Sequence, residues 1–277
     1  MARRDVDILL TYWGDFSLLK EAIDSVINQT YDNWHLWVID DCYPSSEAAD
    51  YAAQLNDPRI TYIRHSQNLG ITKNFNYALQ KATAEYCIFL GCDDRLLPDY
   101  LATAVKEIGK ADFFQPGVQV INENGETFNP LPDRIKYMLR PARASTYDGQ
   151  RLIGSLCMGN WLYFPSILWR TEVIKSYGFD EKYKIVEDLI LEFNLIADGH
   201  QLALCNTKLF EYRRSSQSLS SKDAASGSRF HEEDEMYRNF SKRFKNLGWH
   251  YAAAMAYLRP TSRLHKMLAA VSRLRAR

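Results

Sequence analysis

Strands and helices alternate through the first hundred residues, and that alternation restricts the fold more than any other feature of the chain. Residues 6–12, 34–39, 60–63 and 86–90 are apolar runs of strand length. Between them, residues 15–28, a stretch capped by Ser45 or Ser46 and reaching Leu55, and residues 72–81 carry helical spacing. In the first of these, Phe16, Leu19, Ala22, Ile23, Val26 and Ile27 fall on one face. A strand that is apolar throughout needs cover on both faces, and helices of roughly ten residues between successive strands supply it. The expected class is α/β, with βαβ units and a mostly parallel central sheet flanked by helices.

Beyond Phe113 the pattern loosens. Residues 118–121 followed by Asn124-Gly125 suggest a strand and a turn. Residues 129–141 hold three prolines and read as a loop or short insertion. Residues 148–158 read as a helix, 161–169 as strand-like segments, 185–197 as a strong helix and 202–212 as a late strand. Residues 213–227 are rich in serine and have the composition of a loop. Helices are expected over 230–248 and 251–258, with Pro260 opening a last basic helix. The organisation expected is a domain over 1–228, in two halves at 1–110 and 111–228, followed by a helical basic extension over 229–277.

The 277-residue chain is 46% hydrophobic and 25% charged, which is ordinary globular material. Its five cysteines (Cys42, Cys87, Cys92, Cys157 and Cys205) show no metal-binding spacing, and such a set suits a reducing compartment. The first apolar run is too short for the core of a signal peptide. No segment approaches the roughly 20 apolar residues that span a bilayer. A cytoplasmic location is therefore the expectation. The net charge of zero conceals an asymmetry, because residues 241–277 hold nine basic residues and no acid, leaving 25 basic against 34 acidic in the first 240. That distribution argues against nucleic acid as a partner and points to a local contact of the tail with an anionic surface.

Two pairs of carboxylates close strands: Asp40-Asp41 follow the second and Asp93-Asp94 the fourth. The C-terminal ends of parallel strands are where α/β sheets bind ligands. Paired oxygen ligands suit Mg²⁺ or Mn²⁺, and such an ion can neutralise a diphosphate. Each pair also suits a turn or a helix N-terminus, where Asp caps the chain and complements the dipole. Glu187-Asp188 open a strongly apolar helix, a place where the dipole likewise stabilises acids.

Seven segments occur in a telling order: Leu10-Thr-Tyr12, Gln29-Thr-Tyr-Asp-Asn-Trp34, Val38-Ile-Asp-Asp41, Asn68-Leu-Gly-Ile-Thr-Lys-Asn-Phe-Asn76, Cys92-Asp-Asp-Arg-Leu-Leu-Pro98, Gly178-Phe-Asp-Glu181 with Glu187-Asp188, and Tyr212-Arg213 with Ser218-Leu-Ser220. In this order and spacing, from about residue 7 to 221, the chain resembles inverting family-2 glycosyltransferases of the GT-A fold. The resemblance implies a nucleoside-diphosphate-sugar donor of UDP or dTDP type held by residues 1–110. It also implies a hydroxyl acceptor on a glycan or a lipid-linked glycan held by 111–228. Thr11 and Tyr12 would flank the base or ribose, and Asp41, with Asp40 beside it, would contact the base. Asn68 and Lys73 would line the donor, Lys73 facing the diphosphate. Asp93 aligns with the last carboxylate of the metal motif, and Asp94 would support the Mg²⁺ or Mn²⁺ ion or cap the next helix. Asp188 aligns with the general base, oriented by Glu187, and Arg213 or Arg214 would carry leaving-group charge.

Asn160, Trp161 and Trp169 lie in the acceptor half, where aromatic faces suit sugar rings, although tryptophans are more often core. The chain departs from the family pattern at Gly91 and Cys92, where a further carboxylate is common, and at Ser215, where a His is common. The ion would then have fewer protein ligands and lean on the donor phosphates. Those departures favour an alternative, a catalytically weakened relative that binds a nucleotide sugar or glycan as a scaffold.

In the tail, Leu264, Met267, Leu268, Val271 and Leu274 follow three-four spacing, with Arg263, Lys266, Arg273 and Arg277 mostly off that stripe. This is the pattern of an interfacial helix on anionic lipid. Residues 249–277 are thus expected to meet a membrane, at its inner face for a cytoplasmic protein. Packing on the protein's own body or a homodimer contact would satisfy the same pattern. Lipid-linked acceptors are common in the family and fit such a surface, which points to polysaccharide biosynthesis at the cell envelope.

Overall fold

The computed structural model describes residues 5–214, 228–264 and 266–267. Ser215, Ser218-Leu-Ser220 and the tail positions Leu268, Val271, Arg273, Leu274 and Arg277 lie outside the described residues.

The first half forms the βαβ array that the sequence implies. Strands β1 (Val6–Tyr12), β2 (Trp34–Asp40), β3 (Ile60–Arg64) and β4 (Tyr86–Gly91) pair in parallel in the order β3-β2-β1-β4. Helices α1 (Phe16–Ile27), α2 (Glu47–Leu55) and α3 (Ile71–Lys81) make the crossovers. Every residue of β1 except Thr11 is buried, as a central strand covered on both faces must be. Asp15 caps α1, its carboxylate accepting from Ser17 N at 2.7 Å.

The second half continues the same sheet with mixed polarity. β4 pairs antiparallel with β8 (Leu168–Arg170), β8 antiparallel with β6 (Phe113–Ile121), and β6 parallel with β9 (Leu202–Arg213). Two short strands, β5 (Arg95–Leu96) and β7 (Thr146–Tyr147), add to β9 and bring the sheet to nine strands among the described residues. The remaining helices are α4 (Tyr100–Glu107), α5 (Leu131–Leu139), α6 (Gly149–Met158), α7 (Thr171–Tyr177), α8 (Glu187–Ala197), α9 (Ser228–Asn246) and α10 (His250–Leu258).

The structure differs from the sequence reading in two places. Residues 129–141 contain the helix α5 rather than only a loop. Pro130 and Pro132 sit at its N-terminal turn, where a missing N–H costs nothing, and Pro141 follows its end, so the prolines bound the helix instead of breaking it. Residues 161–169 are not mainly strand: Phe164–Ser166 form a 3₁₀ turn around Pro165, and only Leu168–Arg170 join the sheet. Helices α9 and α10 pack on the body. Phe240 and Phe244 stack on one another and meet Phe193 of α8 edge-on and tilted, while Ala252, Ala253 and Ala256 are buried in the same apolar cluster.

One buried carboxylate ties the array together. Asp7, without solvent exposure, accepts from Thr83 N at 2.6 Å, Ala84 N at 2.7 Å and Trp37 Nε1 at 3.0 Å. It thereby pins the turn between α3 and β4 to the central strand and to β2. Asp7→Ala would leave three donors unsatisfied, so urea unfolding should show a loss of about 3–5 kcal/mol.

Candidate active site

Three parallel strands end side by side. Register pairs Tyr12 with Asp40 and Thr11 with Gly91, so the residues that follow β1, β2 and β4 share one edge of the sheet. Asp40 is fully buried, and its carboxylate accepts from Tyr43 N at 2.7 Å and from the Tyr62 hydroxyl at 2.5 Å. Asp41 is also buried and accepts from Leu69 N at 2.7 Å and Gly70 N at 2.9 Å. These carboxylates therefore organise the loops at the edge. Asp41 holds the turn that carries exposed Asn68 and leads through Gly70, at φ 82°, into α3 with exposed Lys73. Both carboxylates are buried with both oxygens engaged by the protein, which corrects the expected contact of Asp41, with Asp40 beside it, to the base.

Tyr12 is buried, and among the described residues its hydroxyl has no hydrogen-bond partner. Thr11 is half-buried beside it. Sequence reasoning missed the aromatic wall at this edge. Tyr43 packs on Tyr12 at 5.2 Å and edge-on against Trp13 at 5.4 Å, and Trp13 is 48% exposed. The signal was a large aromatic at a strand's C-terminal end, where solvent exposure of that much apolar surface marks a binding face.

The Asp93-Asp94 turn follows β4. Gly91 is the key to its shape, because a Cβ there would meet Asp94 Oδ2 at 2.6 Å and Asp93 Oδ1 at 3.2 Å. One oxygen from each carboxylate thus faces a notch that only glycine leaves open. The carboxylate common in the family at this point has no room here. The notch suits a hard divalent cation held by two carboxylate oxygens, with its other ligands supplied from outside the protein. Among the described residues no group of three or more His, Cys, Asp or Glu side chains forms a metal cluster, so the donor phosphates would have to complete the shell. Burial raises the pKa of Asp93, and burial together with the Asp93 charge raises that of Asp94 further. A cation entering the notch must therefore compete with protons.

Arg213 does not carry leaving-group charge, contrary to expectation. Its side chain is 1% exposed and is spent on the fold. It donates to the carbonyls of Asp93 at 2.8 Å and Glu123 at 2.9 Å and pairs with Glu21 at 2.5 Å. Its backbone N–H donates to Asp94 Oδ1 at 2.8 Å. The neighbouring Arg214 is partly exposed and makes a two-point contact with Asp133 of α5, at 2.8 and 3.0 Å. The two residues line a cleft of about 430 Å³ with Asn122, Phe128, Pro130 and Pro132.

Glu187-Asp188 begin α8, and the approach to that helix is clamped from both sides. Asn76 of α3 exchanges two hydrogen bonds of 2.9 Å with the backbone of Phe179, and Thr72 donates to Tyr183 O at 3.1 Å. From the other side Glu232 of α9 accepts from Ile185 N at 3.0 Å, and Glu235 pairs with Lys182. Glu187 is buried, whereas Asp188 keeps partial access to solvent and accepts from Leu189 N at 2.6 Å.

The aromatic acceptor contacts are not where the sequence suggested. Trp161 is fully buried and donates from Nε1 to Ser155 Oγ at 3.1 Å, and buried Trp169 stacks on Phe113 at 5.2 Å. Both are core, drawn inward by their apolar area. Asn160 is partly exposed and turns the chain by accepting from Leu162 N at 3.0 Å.

Comparison with solved structures defines the class. S. aureus TarS 1–349 in complex with UDP-GlcNAc superposes with a TM-score of 0.70 at 16% identity, over 92% of this chain and 72% of that one. The mannosyltransferase PcManGT from Pyrobaculum calidifontis, in complex with GDP-Man and Mn²⁺, superposes with a TM-score of 0.65 at 15% identity, over 99% of this chain and 76% of that one. The fold is GT-A, as the sequence implied. The profile described as Glycosyl transferase family 2 matches residues 8–171, more than half of the chain, and the protein belongs to that family. The putative colanic acid biosynthesis glycosyl transferase WcaA of Escherichia coli (strain K12) is 38% identical over 180 residues. That stretch covers 63% of this chain and 63% of the relative's length.

The notch over Gly91 makes a direct test. Gly91→Ala should push Asp94 aside and weaken Mn²⁺-dependent binding of a nucleoside diphosphate about 10-fold, as loss of an orienting contact does at other metal sites. In calorimetry on the unaltered protein the same binding should strengthen as pH rises, because Asp93 and Asp94 shed the protons that burial lets them hold.

Proposed function

We propose that the protein is an inverting glycosyltransferase that moves a sugar from a nucleoside-diphosphate-sugar donor, of UDP or dTDP type, to a hydroxyl of a glycan or lipid-linked acceptor. The observation that carries this reading is the Asp93-Asp94 notch over Gly91, at the edge where β1, β2 and β4 end, in a chain of this family. Displacement at an anomeric carbon needs a counter-charge for the leaving group and a base for the acceptor; the notch would supply the first and Asp188 the second.

The donor lies along the edge formed by β1, β2 and β4, with its base toward Thr11, Tyr12 and the Trp13–Tyr43 wall. Asn68 and Lys73, on the turn held by Asp41, face the phosphates. Asp93 and Asp94 would hold Mg²⁺ or Mn²⁺, which when bound neutralises the diphosphate. Asp188 removes the proton from the acceptor hydroxyl as its oxygen forms a bond to the anomeric carbon from the face opposite the leaving group. The bond from that carbon to the phosphate oxygen breaks, and its electron pair leaves with the nucleoside diphosphate. Inversion follows from the single displacement. The acceptor enters by the cleft lined by Phe128, Pro130, Asp133 and Arg214.

This reading is supported by the complexes of the two structural relatives, one with UDP-GlcNAc and one with GDP-Man and Mn²⁺. The test is turnover across a panel of nucleotide sugars with Mn²⁺, Mg²⁺ or EDTA. One donor should be consumed, EDTA should stop it, and Asp188→Asn should lower kcat by about 10²–10⁴-fold while leaving donor affinity intact. Unchanged turnover in Asp188→Asn would refute the base assignment.

A membrane contact at the tail belongs to the same proposal, on a narrower surface than 249–277. Ala252, Ala253 and Ala256 face inward, Tyr251 lies over Gly154, and Thr261 Oγ1 donates to Met158 O at 2.6 Å. Lys266 and Arg259 are spent on Asp234, at 2.7 and 2.8 Å. No described helix is long and apolar enough to cross a membrane. Among the described residues of this segment, the large apolar side chains that stay exposed are Tyr251, Tyr257, Leu258, Leu264 and Met267. Replacing Leu264 and Met267 together by Ser should reduce co-sedimentation with phosphatidylglycerol vesicles and leave donor hydrolysis unchanged. Equal sedimentation of both proteins would remove the membrane contact from the proposal.

A further inference from the structure

Helix α5 is turned inside out, with its charged side against the body and its apolar side toward solvent. Asp133, Lys136 and Arg140 are spaced three and four apart and share one side of the helix. Asp133 is buried and accepts from Arg214 and from the Tyr163 hydroxyl. Lys136 donates to Leu162 O at 2.8 Å, and Arg140 donates to Asn206 Oδ1 at 2.7 Å and to Cys205 O at 2.6 Å. Leu131, Arg134 and Met138 share the opposite side, with Tyr137 at its margin. There Leu131 is 66% exposed, Tyr137 79% and Met138 82%. A helix that buries its charges and leaves its large apolar side chains in water presents a face for an apolar partner.

The C-terminal segment adjoins this helix. A Cβ on Gly159, at the end of α6, would meet Leu139 Cδ1 at 2.7 Å and Thr261 Oγ1 at 3.0 Å. The end of α5 and the residues after α10 therefore lie side by side over the end of α6. Tyr257, Leu258, Leu264 and Met267, all exposed, belong to that neighbouring segment.

Charge selects the partner. Residues 134–147 include four basic side chains (Arg134, Lys136, Arg140 and Arg143) and no acid, and residues 241–277 include nine and no acid. Arg134, Arg143 and Arg263 are exposed and make no ion pair among the described residues. Arg134 stands on the apolar side itself, between Leu131 and Met138. Apolar side chains set among unpaired guanidinium groups fit the boundary of an anionic bilayer, where the former enter the acyl region and the latter reach the phosphates. A second copy of the chain would instead set positive charge against positive charge.

We propose that α5 and residues 257–267 together form a docking face for an anionic lipid bilayer. Pro130 and Pro132, in the first turn of α5, also wall the cleft beside Arg214, so docking sets the mouth of that cleft at the lipid surface. Where the cleft admits the acceptor, as the proposed function has it, the acceptor is then the lipid-linked one. That last step rests on the proposed function, whereas the docking face and its test do not.

The experiment is co-sedimentation of the full chain with vesicles of equimolar phosphatidylglycerol and phosphatidylcholine, and with phosphatidylcholine alone. The unaltered protein should sediment with the anionic vesicles only. The combined variant Leu131→Gln, Tyr137→Gln, Met138→Gln leaves residues 257–267 untouched and keeps good helix formers on an exposed surface, so its thermal unfolding should match. Its partition onto the anionic vesicles should fall about 10-fold or more. Arg134→Glu should lower the partition about 10-fold, with the difference shrinking as salt is raised. Arg134→Glu carries the test alone if the combined variant does not fold.

Equal sedimentation of the unaltered protein and the combined variant would overturn the proposal. So would an unaltered protein that binds neither vesicle or both alike. Light scattering that finds a dimer in the unaltered protein and a monomer in the combined variant, with vesicle binding unchanged, would overturn it in favour of a second copy. Vesicle binding as expected without hydrolysis of any donor would count against the transferase reading and leave the docking face standing.

Discussion

The site depends on a buried arginine. Arg213 ends the longest strand of the sheet and places its guanidinium among the Asp93, Asn122 and Glu123 carbonyls and the Glu21 carboxylate. Its backbone fixes one oxygen of Asp94. A guanidinium has five donors in a rigid fork, and only a planar, permanently charged group of that shape can tie three backbone segments and a carboxylate at once. The tie brings the end of β9, the hairpin after β6 and the turn after β4 to one point. It also supplies positive charge beneath two adjacent carboxylates that would otherwise repel.

Around that knot, rigid elements hold each acidic group with its own pressure on ionisation. Burial raises the pKa of Asp93 and, with the Asp93 charge, that of Asp94, while Asp188 retains access to solvent at the start of a helix. The loop before α8 is bound by Asn76 and Thr72 of α3 on one side and by α9 on the other, so the start of α8 is set by two separate parts of the chain. Placing reactive groups on clamped helix starts and strand ends limits their motion, which is the condition for differential stabilisation of a transition state.

Much of this was legible in the sequence because it is local. Apolar runs of period two and helices of period 3.6 announced the βαβ array, and the carboxylates at strand ends were visible as pairs. The seven ordered segments carried the family and the GT-A fold, both of which the comparisons bear out. The failures share a cause. Trp161 was a candidate acceptor contact because sequence carries no burial, and Arg213 read as a phosphate ligand because its partners are 21, 93, 122 and 123, far from it along the chain. The prolines of 129–141 read as breakers because their place relative to a helix start depends on where that helix begins.

What the sequence determined by itself was the alternation of elements, the parallel first half, the family, and the set of acids available for chemistry. The elements and the acids follow from neighbours within about one helical turn or one strand, and the family from the order of the seven segments. Tertiary structure alone decided which of those acids face a ligand and which serve the fold. It turned Asp40 inward, opened a notch at Gly91 and buried Glu192 with no hydrogen-bond partner among the described residues. The physical reason is that burial and electrostatic partnership depend on segments remote in sequence, and a carboxylate's role changes with the solvent and the charge that those segments leave beside it.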